Sequence, residues 1–249
     1  MSLEGRVALV TGAGGQGMGR SIALTLARDG ADIVLNHHRK HEQAENTARA
    51  IEQMGRRVLP YAGDVANPSQ VDAMVAAGIE RFGHVDIVVN SAGGPWTPQD
   101  VTQIEPAHLR EVLGEEIESV FYILRTVLPG MRERRWGRIV SIGGHMAEAW
   151  RFGPPEAPID YPLGKAARHW LTRTLAPLER PYGITINAVA PGPTRRITLD
   201  EALAALRGED VGGAGNHPQH IADVVAYFCS DGAERVTGAV VPVPGATAI

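Results

Sequence analysis

The stretch Arg6-Val7-Ala8-Leu9-Val10-Thr11-Gly12-Ala13-Gly14-Gly15-Gln16-Gly17-Met18-Gly19 decides the fold of this 249-residue chain. Its first half is a short apolar run rich in branched residues, as expected of a strand. Its second half places five glycines in eight positions, the composition of a tight turn whose backbone can approach a ligand closely. An amphipathic run over 20–29 follows and stops at Gly30. Strand, glycine turn and helix in that order set open N–H groups and the positive helix end against an anion, the cradle for the pyrophosphate of a dinucleotide.

The same alternation continues outward. Strands are expected at 32–36, 57–61, 85–90, 137–142, 184–189 and 239–243, and helices at 41–54, 69–82, 106–131, 160–180, 199–206 and 218–230. Repeated βα units with short connections imply right-handed crossovers, hence an α/β fold with a doubly wound, Rossmann-type parallel sheet and helices on both faces. No linker interrupts the pattern, so residues 1–249 read as a single domain. The segments 143–160 and 192–217 exceed the usual loop length of about 4–6 residues and are candidate substrate loops.

The totals narrow the function classes. A net charge of −4 and a pI near 6.1 give no basic footprint for nucleic acid or an anionic membrane. Cys229 is the single cysteine, so no internal disulfide forms and a reducing compartment is expected. No long apolar run precedes the first strand, and a cytoplasmic protein is the expectation. His37, His38 and His41 lack companions at metal-ligand spacing, so no metal is expected.

A second motif, Asn90-Ser91-Ala92-Gly93, follows the fourth strand. In a sheet whose strand order reverses beside the first strand, the carboxyl ends of strands one and four flank one crevice. A third, Asp160-Tyr161-Pro162-Leu163-Gly164-Lys165, sets a phenol and an ammonium four residues apart on one helix face. A fixed positive charge beside a phenol favours its ionised form, which makes the pair a candidate for proton transfer.

With these motifs in order, the chain resembles the short-chain dehydrogenase/reductase family over nearly its whole length. The matching residues are the Thr11-Gly12 loop, Asp64-Val65, Asn90-Ser91-Ala92-Gly93, Tyr161 with Lys165, the run Asn187-Ala188-Val189-Ala190-Pro191-Gly192-Pro193-Thr194, and Ser230-Asp231 with Thr237-Gly238. The resemblance implies a seven-stranded sheet. It implies that Gly12, Gly14, Gln16, Gly17 and Met18 hold the pyrophosphate, that Asp64 and Val65 meet the adenine, and that Asn90, Ala92 and Gly93 lie near the adenine-side ribose. Pro191, Gly192 and Thr194 would then lie against the nicotinamide. Tyr161 would donate or accept the proton, with Lys165 as its electrostatic partner and ribose contact. The end of the second strand, Asn36-His37-His38-Arg39-Lys40, has no acid for a ribose 2′-OH, which favours NADP over NAD, with Arg39 the first choice for the 2′-phosphate and His38 or Lys40 as alternatives.

The chain also departs from the family. The serine that polarises the substrate carbonyl is replaced by Gly144, leaving His145 as the preferred substitute donor and Ser141 as a weaker one. The helix asparagine that holds a relay water is replaced by Glu116, which either turns inward to pair with Lys165 or points outward on an acidic face. Trp96, Trp150 and Phe152 are candidates for an apolar wall over the nicotinamide. Arg195 and Arg196 could meet an anionic substrate, and Gly212-Gly213-Ala214-Gly215-Asn216 could hinge a lid. The resemblance implies a homotetramer or homodimer through the two long helices. The leading reading is an NADP(H)-dependent oxidoreductase interconverting a carbonyl and a secondary alcohol. A weakened cofactor-binding regulator, or an isomerase or lyase using the same pair, are the alternatives.

Overall fold

The computed structural model describes residues 2–97, 99–145, 147, 159–210, 212–213 and 215–245. Seven parallel strands form one sheet in the order β3-β2-β1-β4-β5-β6-β7. They are β1 (Val7–Val10), β2 (Asp32–His37), β3 (Val58–Ala62), β4 (Ile87–Asn90), β5 (Gly137–Ile142), β6 (Ile184–Pro191) and β7 (Val240–Val243). The helices are α1 (Met18–Arg28), α2 (His41–Gln53), α3 (Pro68–Phe82), α4 (Pro106–Leu113), α5 (Ser119–Arg134), α6 (Asp160–Glu179), α7 (Leu199–Leu206) and α8 (Pro218–Cys229). The α/β doubly wound expectation is therefore met, including the short helix at 199–206.

Alternation along the strands builds two cores. Ala8 and Val10 of β1 face one side with Ile33, Leu35 and Val89, covered by Ile22 and Leu26 of α1 and Ile221, Val225 and Phe228 of α8. Val7 and Leu9 face the other with Val34 and Val88, covered by Val71 and Met74 of α3 and Ile123, Val127 and Met131 of α5. A strand apolar at every position is what a sheet covered on both faces requires. Local chemistry sets the ends: the Asn67 side chain accepts from the N–H groups of Ser69 and Gln70 at 3.0 and 3.3 Å, Pro68 opens α3, and Gly83 closes it at φ 91°.

The long helical stretch expected over 106–131 is present without interruption from 106 to 134, but its winding changes between α4 and α5 to a π turn, Gly114–Glu118. Such a turn inserts a residue into the helical ladder and frees backbone carbonyls. Here it rotates Glu116 fully into the interior, where its relative exposure is 0%.

Candidate active site

The sheet order reverses at β1, whose neighbours are β2 and β4, and the carboxyl ends of β1 and β4 open a cleft of about 610 Å³. Thr11 ties the two strand ends together: its hydroxyl accepts from the N–H groups of Ser91 and Ala92 at 3.0 Å each. Gly12 has φ 65°, and a Cβ there would lie 2.9 Å from Ala92 Cα, so both conformation and space demand glycine. Gly12 N–H donates to Asn36 Oδ1 at 3.2 Å, and Asn36 Nδ2 donates to Gly63 O at 2.9 Å. This buried asparagine thus fixes the loop across β2 and β3. Helix α1 starts at Gly17 without a side-chain cap and with no acid in its first turn, which leaves its N–H groups and positive end for an anion in the cleft.

Of the residues singled out from sequence, Gly12, Gln16, Gly17, Met18, Asp64, Val65, Ala92, Gly93, Tyr161 and Lys165 line this cleft. Gly14 stands behind it, with no room for a side chain beside His37. Asn90 is floor rather than wall: it is buried, and its Nδ2 donates to Ser141 Oγ at 3.4 Å. Ser141 is accordingly sealed within β5 beneath the site. At the β2 end the lining side chains are His38, Lys40 and Gln43; Arg39 is not among them, but its charge reaches Glu115 on the cleft wall. Arg196 also lines the cleft, whereas Arg195 turns toward Glu201 at 3.3 Å. Pro191, Gly192 and Thr194, at and just past the end of β6, are not among the residues lining the cleft; Gly192 N–H donates to Val243 O at 3.0 Å and Thr194 is bridged to Asn216.

The chemistry gathers on α6. Lys165 is 4% exposed, and its Nζ lies 3.0 Å from Glu116 Oε2 and 3.3 Å from the carbonyl of Ile142, to which it donates. The inward alternative for Glu116 is therefore the observed one. Glu116 Oε1 accepts from Gly94 N–H at 2.9 Å, and Oε2 is 2.9 Å from Arg168 Nε. Gly93 and Gly164 leave the space that this carboxylate and its stem occupy. Burial pushes Tyr161 up to about 12, with Glu116 adding to the rise and Arg168 opposing it. Burial pushes Lys165 down to about 8, opposed by Glu116 and reinforced by Arg168. The ammonium is thus partly neutralised by its own carboxylate, and the phenol is held as a proton donor at neutral pH.

Gly144 leaves the expected hydroxyl position without a side chain; a Cβ there would sit 3.1 Å from Lys165 Cγ and 3.2 Å from Lys165 Cβ. Gly144 N–H donates to His169 Nε2 at 3.4 Å. His145 N–H donates to Pro191 O at 2.9 Å, joining the β5 and β6 ends, and its Nδ1 is buried without a hydrogen-bond partner among the described residues. Trp96 packs edge-on to Tyr161 with ring centroids 5.3 Å apart. Trp150 and Phe152 lie outside the described residues.

Arg168 carries no motif in the sequence, although it lies three residues beyond Lys165 and seven beyond Tyr161, on the same helix stripe. That spacing, with Glu116 inward, is the available signal. Glu115, equally unmarked, lines the cleft and is raised to about 6 by burial and by Glu111, Asp64 and Glu116. Among the described residues, no cluster of three or more His, Cys, Asp or Glu could hold a metal ion, and no helix is long and apolar enough to cross a membrane.

The chain is similar to known proteins over nearly its whole length. A family model described as enoyl-(acyl carrier protein) reductase matches residues 12–245. The chain is 35% identical over 252 residues to the 3-oxoacyl-(acyl-carrier-protein) reductase FabG of Pseudomonas aeruginosa, with 98% of each chain covered. It is 32% identical to the acetoacetyl-CoA reductase of Allochromatium vinosum over 96% of this chain and 97% of the relative. Among solved structures, levodione reductase superposes with a TM-score of 0.84 at 30% identity, covering 98% of both chains. NAD+-bound xylitol dehydrogenase superposes with a TM-score of 0.85 at 26% identity, covering 98% of this chain and 100% of the other.

Proposed function

The chain belongs to the short-chain dehydrogenase/reductase family, and on that premise we propose that it is an NADP(H)-dependent oxidoreductase interconverting a carbonyl and a secondary alcohol. The observation that carries this reading is the position of Tyr161 and Lys165 on the wall of the same cleft that the glycine loop opens. The uncapped start of α1, the glycine backbone and the two basic residues at the end of β2 fit the pyrophosphate and 2′-phosphate of such a cofactor. Gly12, Gln16, Gly17 and Met18 would hold the former, Lys40 and His38 the latter. Asp64 and Val65 would meet the adenine, and Pro191, Gly192 and Thr194 the nicotinamide. When bound, the nicotinamide supplies or accepts the hydride.

The protein's own part is the proton. Tyr161, protonated through the neutral range, delivers its hydroxyl proton to the oxygen of the reduced carbonyl, and Lys165 steadies the phenolate left behind. Retention of the proton on Tyr161 supports the reducing direction, as do the names of the two reductases above. The loop carrying His145 supplies the ring that stands closest in sequence to the missing serine. The exposed apolar side chains Phe121 on α5 and Trp170 and Leu178 on α6 support assembly into a homodimer or homotetramer through these helices.

The test follows NADPH fluorescence against a panel of ketones, with Tyr161→Phe as control. Turnover by the wild type that falls at least about 100-fold in the variant, with NADPH binding retained, is expected; equal turnover by both ends the assignment of Tyr161. One observation favours a second reading. Gly144 supplies no hydroxyl to the carbonyl, which suits a cofactor-binding regulator that retains the fold with weakened catalysis. NADPH binding without turnover on any ketone would select it.

A further inference from the structure

Arg168 is fully buried on α6, and its guanidinium is seated on five backbone carbonyls. Nε donates to Glu116 O at 2.8 Å, one terminal nitrogen to Asn90 O at 3.0 Å and Ile142 O at 3.1 Å, and the other to Ala92 O at 2.6 Å and Glu115 O at 3.2 Å. Two of those carbonyls belong to the π turn, which explains how the shifted ladder is satisfied within the protein. The seat also fixes a permanent cation beside Lys165, because a guanidinium does not lose its proton in a protein. Between the two cations stands Glu116, 3.0 Å from one and 2.9 Å from the other.

The groups that face Lys165 can be named element by element. The π turn offers Glu116, with Glu115 nearby on the cleft wall. Its own helix offers Tyr161, whose ring centroid is 5.0 Å from Nζ, and Arg168. The loop after β5 carries His145, and His169 packs behind Gly143 and Gly144. The end of β5 offers the Ile142 carbonyl and the loop after β4 the Gly93 backbone. Two cations and one carboxylate leave this interior with one excess positive charge when Lys165 is protonated, and with none when it is not.

We infer that Glu116 and Arg168 are opposed positioning residues that together set the charge of Lys165, Glu116 holding the proton on the ammonium and Arg168 driving it off. The ribose- and phenol-facing cation is then adjustable around neutral to mildly alkaline pH rather than permanent. The directions given above for Lys165, lowered by burial and by Arg168 and raised by Glu116, agree with this division. The inference rests on Tyr161 and Lys165 being the proton-transfer pair for its functional meaning, but its test needs neither substrate nor cofactor.

The chain has two lysines, Lys40 and Lys165, so the cofactor-free protein labelled with 13C at the lysine Cε gives two assignable signals, with Lys165→Met identifying its own. The wild-type Lys165 signal should titrate near pH 8. Glu116→Gln, which keeps shape and the bond from Gly94, should move that midpoint down by about one pH unit or more, and Arg168→Gln should move it up by a similar amount. Shifts in the same direction, or an unmoved midpoint in Glu116→Gln, overturn the inference. If Arg168→Gln does not fold, Glu116→Gln and Glu116→Asn decide alone, since both must lower the midpoint. Opposite shifts in a protein without ketone turnover would sink the oxidoreductase reading and leave the charge-setting inference standing; turnover without opposite shifts would do the reverse.

Discussion

Replacing Gly164 by alanine sets two physical effects against each other. Gly164 lies inside α6, and alanine is favoured over glycine in a helix interior by about 1 kcal/mol. On propensity alone the substitution stabilises. The added Cβ, however, would fall 2.8 Å from Glu116 Cγ and closer still to its Cβ. Carbon atoms pack at about 3.5–4.0 Å, so the Glu116 stem or α6 must retreat by at least about 1 Å. The stem cannot swing away freely, because its carboxylate is held by Gly94 N–H, Lys165 and Arg168. Overpacking of this kind costs about 1–3 kcal/mol, and loosening a buried charge contact adds to it, with about 3–5 kcal/mol as the bound for complete loss of a partner. The net expectation is a loss of about 2 kcal/mol after the helix gain is subtracted, or roughly 4–8 °C in Tm for a chain of this size. Urea and thermal denaturation of the two proteins, followed by far-UV circular dichroism, make the comparison. A Gly164→Ala protein as stable as wild type, or more stable, would show that Glu116 does not pack against residue 164, and the inward charged cluster would fall with it.

Three further outcomes follow from the site. Gly144→Ser places a hydroxyl at the family position; with its Cβ 3.1 Å from Lys165 Cγ the lysine stem must give by a few tenths of an ångström. Ketone reduction should rise about tenfold for one added hydrogen bond of about 1.4 kcal/mol, and steady-state kinetics showing no gain would mean that another donor already fills that role. His38→Ala and Lys40→Ala should each raise the KM for NADPH about fivefold or more while leaving that for NADH unchanged, with Arg39→Ala smaller than either; parallel changes for both cofactors would place the 2′-phosphate elsewhere. Lys165 is lowered from 10.5 to about 8 on folding, so the unfolded chain binds more protons across that window and its contribution to stability rises with pH from 8 toward 10.5. Tyr161, raised from 10.0 to about 12, does the opposite between 10 and 12. Urea midpoints from pH 7.5 to 10 should therefore climb less in Lys165→Met than in wild type, and identical slopes would contradict the buried, depressed lysine.

The sheet is legible in the sequence because each strand is apolar at consecutive positions and each turn is marked by its own chemistry. The unbroken apolar run from Val7 to Val10 implies a strand covered on both faces, and the division of Ala8 and Val10 from Val7 and Leu9 between the two cores is the physical content of that pattern. Glycine positions speak for the loop in the same way: Gly12 has to be glycine, and the close approach of Ala92 is the reason. What stays closed to sequence is anything requiring three elements to meet. A π turn leaves no compositional mark at Gly114, so the direction of Glu116 can be stated from sequence only as two alternatives. Arg39 and Lys40 differ by one position, and nothing in their residue types says that Lys40 is the one lining the cleft.

Arg168 is the instructive case, because its helix spacing is visible in the sequence and its role is not. A lone arginine on a helix stripe with a lysine predicts repulsion and an outward turn into solvent. It turns inward because five carbonyls from the ends of β4 and β5 and from the π turn converge on one point, and a carboxylate arrives there with them. Those acceptors are backbone groups, which carry no side-chain signature. Glu116, Gly164 and Arg168 form one packed unit: the carboxylate stem fills the space left by the missing Cβ at 164 and its charge meets the guanidinium, which is itself seated on carbonyls of the π turn. Taken singly, Glu116 is the substitution of one residue in a familiar pattern; taken with its partners, it is half of a device that acts on Lys165.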